Sequence, residues 1–158
     1  MKQSYKTGFS FGLTSAIITT LGLMVGLHAG THSEMVVLGG ILTIAVADAF
    51  SDALGIHVSE EAKDGNTPRT IWEATISTFF FKFVFALTFA VPVLIFPLST
   101  AIMVSIAYGL ILLGVLSFYF SKLEHVRPWM IVSEHLTIAL LVILATHALG
   151  DWIGKVFQ

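Results

Sequence analysis

The chain contains no cysteine, which excludes disulfide bridges and thiolate metal ligands together. Charge is nearly as scarce. Only 11% of the 158 residues are Asp, Glu, Lys or Arg, and a formal net charge of −2 offers no basic surface for nucleic acid. Alternating segments of about ten residues separated by turns are also missing, which excludes a transmembrane barrel of strands. No nucleophile–base pair in recognisable context, phosphate-binding glycine loop or HExxH sequence occurs, so the chain is not read as an enzyme. Low-complexity segments and internal repeats are lacking too, and an inverted-repeat transporter within one chain is therefore unsupported.

What the chain does contain is apolar. Hydrophobic residues make up 56% of it and the mean hydropathy is +0.89, far from an average soluble domain. Five long apolar stretches, about 8–27, 35–57, 74–96, 98–120 and 130–153, each approach the ~20 residues that a helix needs to cross ~30 Å of hydrocarbon. The expectation is an all-α integral membrane protein, a single five-span transmembrane domain over residues 1–158 with the lipid bilayer as its main partner. The first stretch is read as a retained span: it is too long for a signal peptide, and Leu27-His28-Ala29 is a poor cleavage site because Leu27 is not small.

The eight basic residues give an orientation. Lys2 and Lys6 precede the first span, Lys63 and Arg69 join the second to the third, and Lys122 and Arg127 join the fourth to the fifth; only Lys155 sits on the opposite side. Positive residues favour the cytoplasm, so the N-terminus is expected inside and the C-terminus outside. Trp72, Trp129 and Trp152 fall near span ends, where an indole prefers to sit. In the longest loop, Asp64-Gly65-Asn66 signals a turn and Pro68 suits the start of the next helix. Pro92 is expected to bend the third span.

The eighth basic residue, Lys82, lies within a span, as do Asp48 and Asp52. An ionisable group at bilayer depth costs roughly 2.5–3.5 kcal/mol on insertion scales and usually faces a cavity or a partner. Asp48 and Asp52 are four apart and stack on one helix face. Gly55 and Ser59 extend that face, with Ser51 beside it. Two stacked carboxylates without a counter-charge repel, and a divalent cation relieves the conflict. The structural alternative is an internal ion pair. Asp48 and Lys82 each lie about nine residues, or ~14 Å, from the same membrane edge at 1.5 Å per residue, so a Lys82–Asp48 pair is expected to leave Asp52 unpaired. Span one carries Ser15, Thr19, Gly22 and Gly26 on one face; it reads as a packing surface or, at Ser15 and Thr19, as the lining of a pathway. Further out, His147 and Asp151 are four apart, suited to a metal, a proton relay or a local His–Asp hydrogen bond. His28, His32 and Glu34 form a loose outer cluster, and Glu134 and His135 sit near the inner end of the last span. Glu60, Glu61 and Asp64 read as a solvated loop face that a cation at the inner end of span two would meet.

Spans one and two resemble the vacuolar iron transporter (VIT) family. The matching stretches are Ser15-Ala16-Ile17-Ile18-Thr19-Thr20-Leu21-Gly22, with Gly26 beyond, and Ala47-Asp48-Ala49-Phe50-Ser51-Asp52-Ala53-Leu54-Gly55-Ile56-His57-Val58-Ser59. The motifs cover about residues 13–61, and the five-span layout matches the family over the rest. The resemblance implies a homodimer that exports cytosolic Fe2+ or Mn2+, exchanging protons, with its path between the first two spans near the two-fold axis and no permanently bound cofactor. Its membrane is the cell membrane in a prokaryote and an organelle membrane otherwise. Ser15 stands where the family usually has Asp, Asp52 where it has Met, and Ile56 where it has an acid. Exchanging a thioether for a carboxylate makes the donor set harder. The loop at 58–73 is too short for the glutamate-rich cytoplasmic metal-binding domain of many members; Glu60 and Glu61 remain as a stub.

The leading expectation is a divalent-metal transporter. Asp48 and Asp52 bind the ion with Ser51, Glu60 acts at the cytoplasmic mouth, and Ser15, Thr19 and His57 line the pathway. Lys82 is the counter-charge, and Gly22 and Gly26 pack the dimer. Two alternatives stay open: a proton-coupled transporter of another substrate, and a non-transporting membrane scaffold whose polar residues only fix helix packing.

Overall fold

A computed structural model describes residues 3–123 and 126–157; Lys2, used above for orientation, lies outside them. The described residues form six α-helices and no strand: α1 Gln3–Thr31, α2 Glu34–Glu61, α3 Pro68–Thr88, α4 Ala90–Ile95, α5 Leu98–Leu123 and α6 Pro128–Phe157. Counting α3 and α4 as one crossing, five helical rods of 26 to 30 residues are long and apolar enough to span a membrane, the pattern of a multi-pass membrane protein. Each rod outruns its apolar stretch by up to several residues at one or both ends, except at 98 and near 95, because only the hydrocarbon-depth part must be apolar whereas the helix continues through polar end turns.

Local chemistry sets the ends. His32 takes the left-handed conformation at φ 51° and its N–H donates to the His28 carbonyl at 3.0 Å, closing α1. Ser33 then caps α2, accepting from the Val36 N–H at 3.4 Å. Gly65 (φ 86°) makes the expected turn. Thr67 and Thr70 form a reciprocal cap, with Pro68 at the first position of α3. The third crossing breaks at Phe89, one turn before Pro92. Proline removes one N–H and its ring collides with the carbonyl four residues back, here Thr88.

Around α1, the central helix, pack α2, α3, α5 and α6. Small residues decide how closely. On one flank, Gly8 lies on the Ser77 side chain and the Ala74 carbonyl, and a Cβ at Gly12 would stand 2.8 Å from the Thr78 carbonyl oxygen of α3. Toward the other end, a Cβ at Gly22 would meet Val142 Cγ1 at 2.7 Å, one at Gly26 the Thr146 carbonyl oxygen at 3.2 Å, and one at Gly30 the Gly150 carbonyl oxygen at 3.0 Å. The face of Gly22 and Gly26 thus packs on α6 of the same chain. GxxxG spacing asks for a close helix neighbour, and α6 is one within the chain. Gly150 answers from α6, with no room for a Cβ beside the Gly26 carbonyl.

Helix α2 joins through Ala45, Ala49 and Ala53, all buried. Its outward residues divide into a bulky stripe, Leu42, Val46, Phe50, Leu54 and Val58, and a small one, Gly39, Thr43, Ala47, Ser51, Gly55 and Ser59. Within the chain, nothing stands within 4 Å of a Cβ added at Gly39 or Gly55.

Overfilling the α1–α6 seam costs about 1–3 kcal/mol. Gly150→Ala is therefore expected to lower the apparent melting temperature of the detergent-solubilised protein by several degrees. Gly114→Ala, where the nearest atom to the new methyl is Leu136 Cδ1 at 4.0 Å, leaves it unchanged or slightly raised; thermal denaturation followed by circular dichroism checks both.

Candidate functional site: a buried lysine shared by two aspartates

The glycine and alanine seams place the site. At Gly12 the α1 backbone comes within van der Waals reach of Lys82 N on α3, so the lysine side chain emerges beside Ser15, one turn further along α1. Ala49 and Ala53 bring α2 equally near, and the acids beside them meet the same lysine. Lys82 is 1% exposed, and Asp48 and Asp52 keep 25% and 19% of their side-chain surface.

Lys82 Nζ lies 2.6 Å from Asp48 Oδ2, an ion pair without hydrogen-bond alignment, since that oxygen accepts no hydrogen bond. The same ammonium donates to Asp52 Oδ2 and, at 2.7 Å, to Ser15 Oγ. Ser15 Oγ donates in turn to Asp52 Oδ2 at 2.6 Å, so its hydroxyl is engaged as both donor and acceptor. The expected Lys82–Asp48 pair is present, but Asp52 does not stand unpaired. Lys82 reaches both because the acids are one turn apart on α2 and the long lysine stem ends between them. Two carboxylates against one ammonium leave a formal excess of one negative charge in the chain's interior.

The other expected site residues are dispersed. Ser51 is on the exposed face of α2, about 100° around the helix from Asp52, and does not join the cluster within this chain. Thr19 donates back to the Ser15 carbonyl at 2.9 Å, a local bond that leaves it on the same side of α1. His57 Nδ1 lies 3.0 Å from Thr75 Oγ1. That hydroxyl also reaches the Ile71 carbonyl at 2.8 Å. The imidazole also packs edge-on against Trp72. Glu60 is no solvated loop residue. It is buried to 7% exposure, paired with Lys63 and bonded by Asn66 Nδ2 at 3.0 Å, because α2 runs on to Glu61 and the loop folds back over it. Eight residues of helix, ~12 Å, separate it from Asp52. Glu61 and Asp64 are exposed as expected. At the other end Asp151 pairs with Lys155 at 2.6 Å, replacing the expected His–Asp hydrogen bond, while the His28 and His32 rings stand 5.4 Å apart.

Two surroundings of the cluster were not anticipated from sequence. A groove of about 450 Å3 is lined by residues on turns next to the cluster, Thr7, Ser10, Thr14, Ile56, Ser121 and His135 among others, with none of the cluster residues in its wall. Its upper residues, Thr14 and Ile56, adjoin Ser15 and lie one turn from Asp52. Hydroxyls at 7, 10 and 14 share a face of α1, a spacing legible in the sequence but hidden by its ordinary composition. The second is the small stripe on α2. Asp48 and Asp52 lie between its Ala47 and Ser51 and the buried Ala49 and Ala53, each acid about 100° from its two sequence neighbours, while Gly55 and Ser59 continue along the acids' own face.

Among the described residues no three His, Asp or Glu side chains converge as a ready metal site. The chain matches no family model and no curated protein. The likeness to the VIT family therefore rests on the motif residues of the first two spans.

Breaking a buried ion pair from one side costs about 3–5 kcal/mol. Lys82→Met is expected to destabilise the solubilised protein by that order, and adding Asp48→Asn and Asp52→Asn to recover most of the loss. Thermal denaturation of the single and triple variants checks the sign of the coupling.

Proposed function

We propose that the chain is a VIT-like transporter of divalent metal ions, working as a homodimer across its α2 faces and carrying Fe2+ or Mn2+ out of the cytosol in exchange for protons. The observation that carries the reading is the charge excess at Lys82: two acids share one ammonium at membrane depth, and both keep part of their surface open. A divalent ion between Asp48 and Asp52 neutralises both and supplies the hard partner that carboxylate oxygens favour. Ser15 adds an oxygen on the α1 side. Arrival of the ion releases Lys82 from both carboxylates, so that ion entry and lysine release are coupled. The groove lined by Thr7, Ser10, Thr14 and His135 is the approach from the cytoplasmic side, given the orientation that the basic loops favour.

The remaining ligands come from a second copy in this reading. The small α2 stripe is unfilled within the chain, and side chains of its size let two backbones approach closely. Pairing two α2 helices there brings Ser51, otherwise stranded, toward the two-fold axis beside the acids of both copies. The stripe takes the role expected of Gly22 and Gly26.

The scaffold reading is favoured by one specific fact: Lys82 already touches both acids, as a purely structural cluster would require. Reconstitution separates the two. Proteoliposomes are expected to take up Mn2+ or Fe2+ and to move protons oppositely, with Asp48→Asn plus Asp52→Asn lowering flux at least about tenfold, the loss of ~1.4 kcal/mol or more of ion binding. Unchanged flux in that variant refutes the site, and no flux for any divalent ion supports the scaffold. Because the chain lacks cysteine, Ser51→Cys supplies a single thiol. Oxidation in membranes is expected to give a covalent dimer from Ser51→Cys and none from Phe50→Cys on the bulky stripe.

A further inference from the structure

Between α5 and α6 lies an apolar groove of about 620 Å3. Leu110, Gly114 and Phe118 line one wall, and Trp129, Leu136 and Leu140 the other. Gly114 supplies its depth, since a Cβ there would meet nothing nearer than 4.0 Å. Trp129 to Leu140 covers eleven residues of helix, ~16 Å, which is the depth of one leaflet of a ~30 Å hydrocarbon layer. Starting at Trp129 in the first turn of α6, the groove thus has the length of one leaflet.

Its mouth is basic. Lys122 stands over the Phe118 ring, 4.8 Å from the centroid, and Arg127 immediately precedes the Pro128-Trp129 start of α6. Both are exposed, and among the described residues no acid pairs with either. We propose that this groove is a binding site for an anionic phospholipid of the leaflet on the basic side, one acyl chain lying over Gly114 and the phosphate headgroup held by Lys122 and Arg127. The charge at the mouth selects the headgroup. A groove one leaflet deep suits a single chain from that side, and a sterol or second helix would find no use for two cations at its rim.

Trp129, 75% exposed, reports occupancy directly. In a Trp72→Phe, Trp152→Phe background, the protein is reconstituted into vesicles of phosphatidylcholine containing brominated phosphatidylglycerol or brominated phosphatidylcholine, and quenching of Trp129 gives the relative affinity. Two cations at a membrane surface favour an anionic headgroup on the order of tenfold, so phosphatidylglycerol is expected to win by several-fold. Lys122→Ala plus Arg127→Ala removes the preference, and Gly114→Leu weakens quenching by both lipids by filling the groove. Equal quenching by the two lipids, or a preference that survives the double variant, overturns the site. So does a Trp129 that neither lipid quenches, the result expected where a second copy covers the groove. Lys122 lies in the last turn of α5 and Arg127 just before α6, both exposed, so the double variant's result stands even if Gly114→Leu fails to fold.

Discussion

The ammonium of Lys82, held between two aspartates and a serine in the interior of an apolar bundle, is the contact on which the rest depends. Each of its partners comes from a different crossing or a different turn, so α1, α2 and α3 must all be in register for it to form. Isolated at hydrocarbon depth, each charge costs several kcal/mol; together they cost far less, provided that all three helices are docked. The cluster therefore rejects misregistered packings, which leave a charge uncompensated, more than it adds stability to the correct one. The same arrangement sets two partly open carboxylates against one buried ammonium.

Glycine and alanine make this possible. Gly8 and Gly12 on one flank of α1, and Gly22, Gly26 and Gly30 toward its other end, let α3 and α6 approach until backbone touches side chain or backbone. In a bilayer, lipid is as apolar as leucine, so close packing rather than exclusion from water holds helices together. The bundle invests its smallest residues where contact must be tightest and leaves bulky ones, such as Leu42, Phe50 and Trp129, facing outward. The small stripe of α2 repeats the pattern, and among the described residues nothing stands within 4 Å of a Cβ added at its Gly39 or Gly55.

Hydropathy made the five crossings legible, since the length of an apolar run reports directly on bilayer thickness. Helix ends were legible where they rest on a residue with one physical job, as at Gly65, Pro68 and Pro92. Depth counting paired Lys82 with Asp48, but it is one-dimensional and cannot register that a lysine stem spans a helical turn; hence Asp52 was expected to be free. Glycine spacing showed that α1 needs a close neighbour without saying which one, and α6, more than a hundred residues later, was not readable from local pattern. Glu60 was misplaced for a related reason: it is acidic and near a loop, and only the fold-back of Lys63 and Asn66 buries it.

The central position of α1 has a consequence for assembly. It is the first crossing to be synthesised among those described, yet its glycine face at residues 22–30 is covered only by α6, the last of them. During synthesis that strip of bare backbone must wait in the lipid, or against whatever the insertion machinery offers, until four more crossings have entered. A chain halted before residue 128 would leave the glycine furrow of its first described crossing without the helix that packs on it.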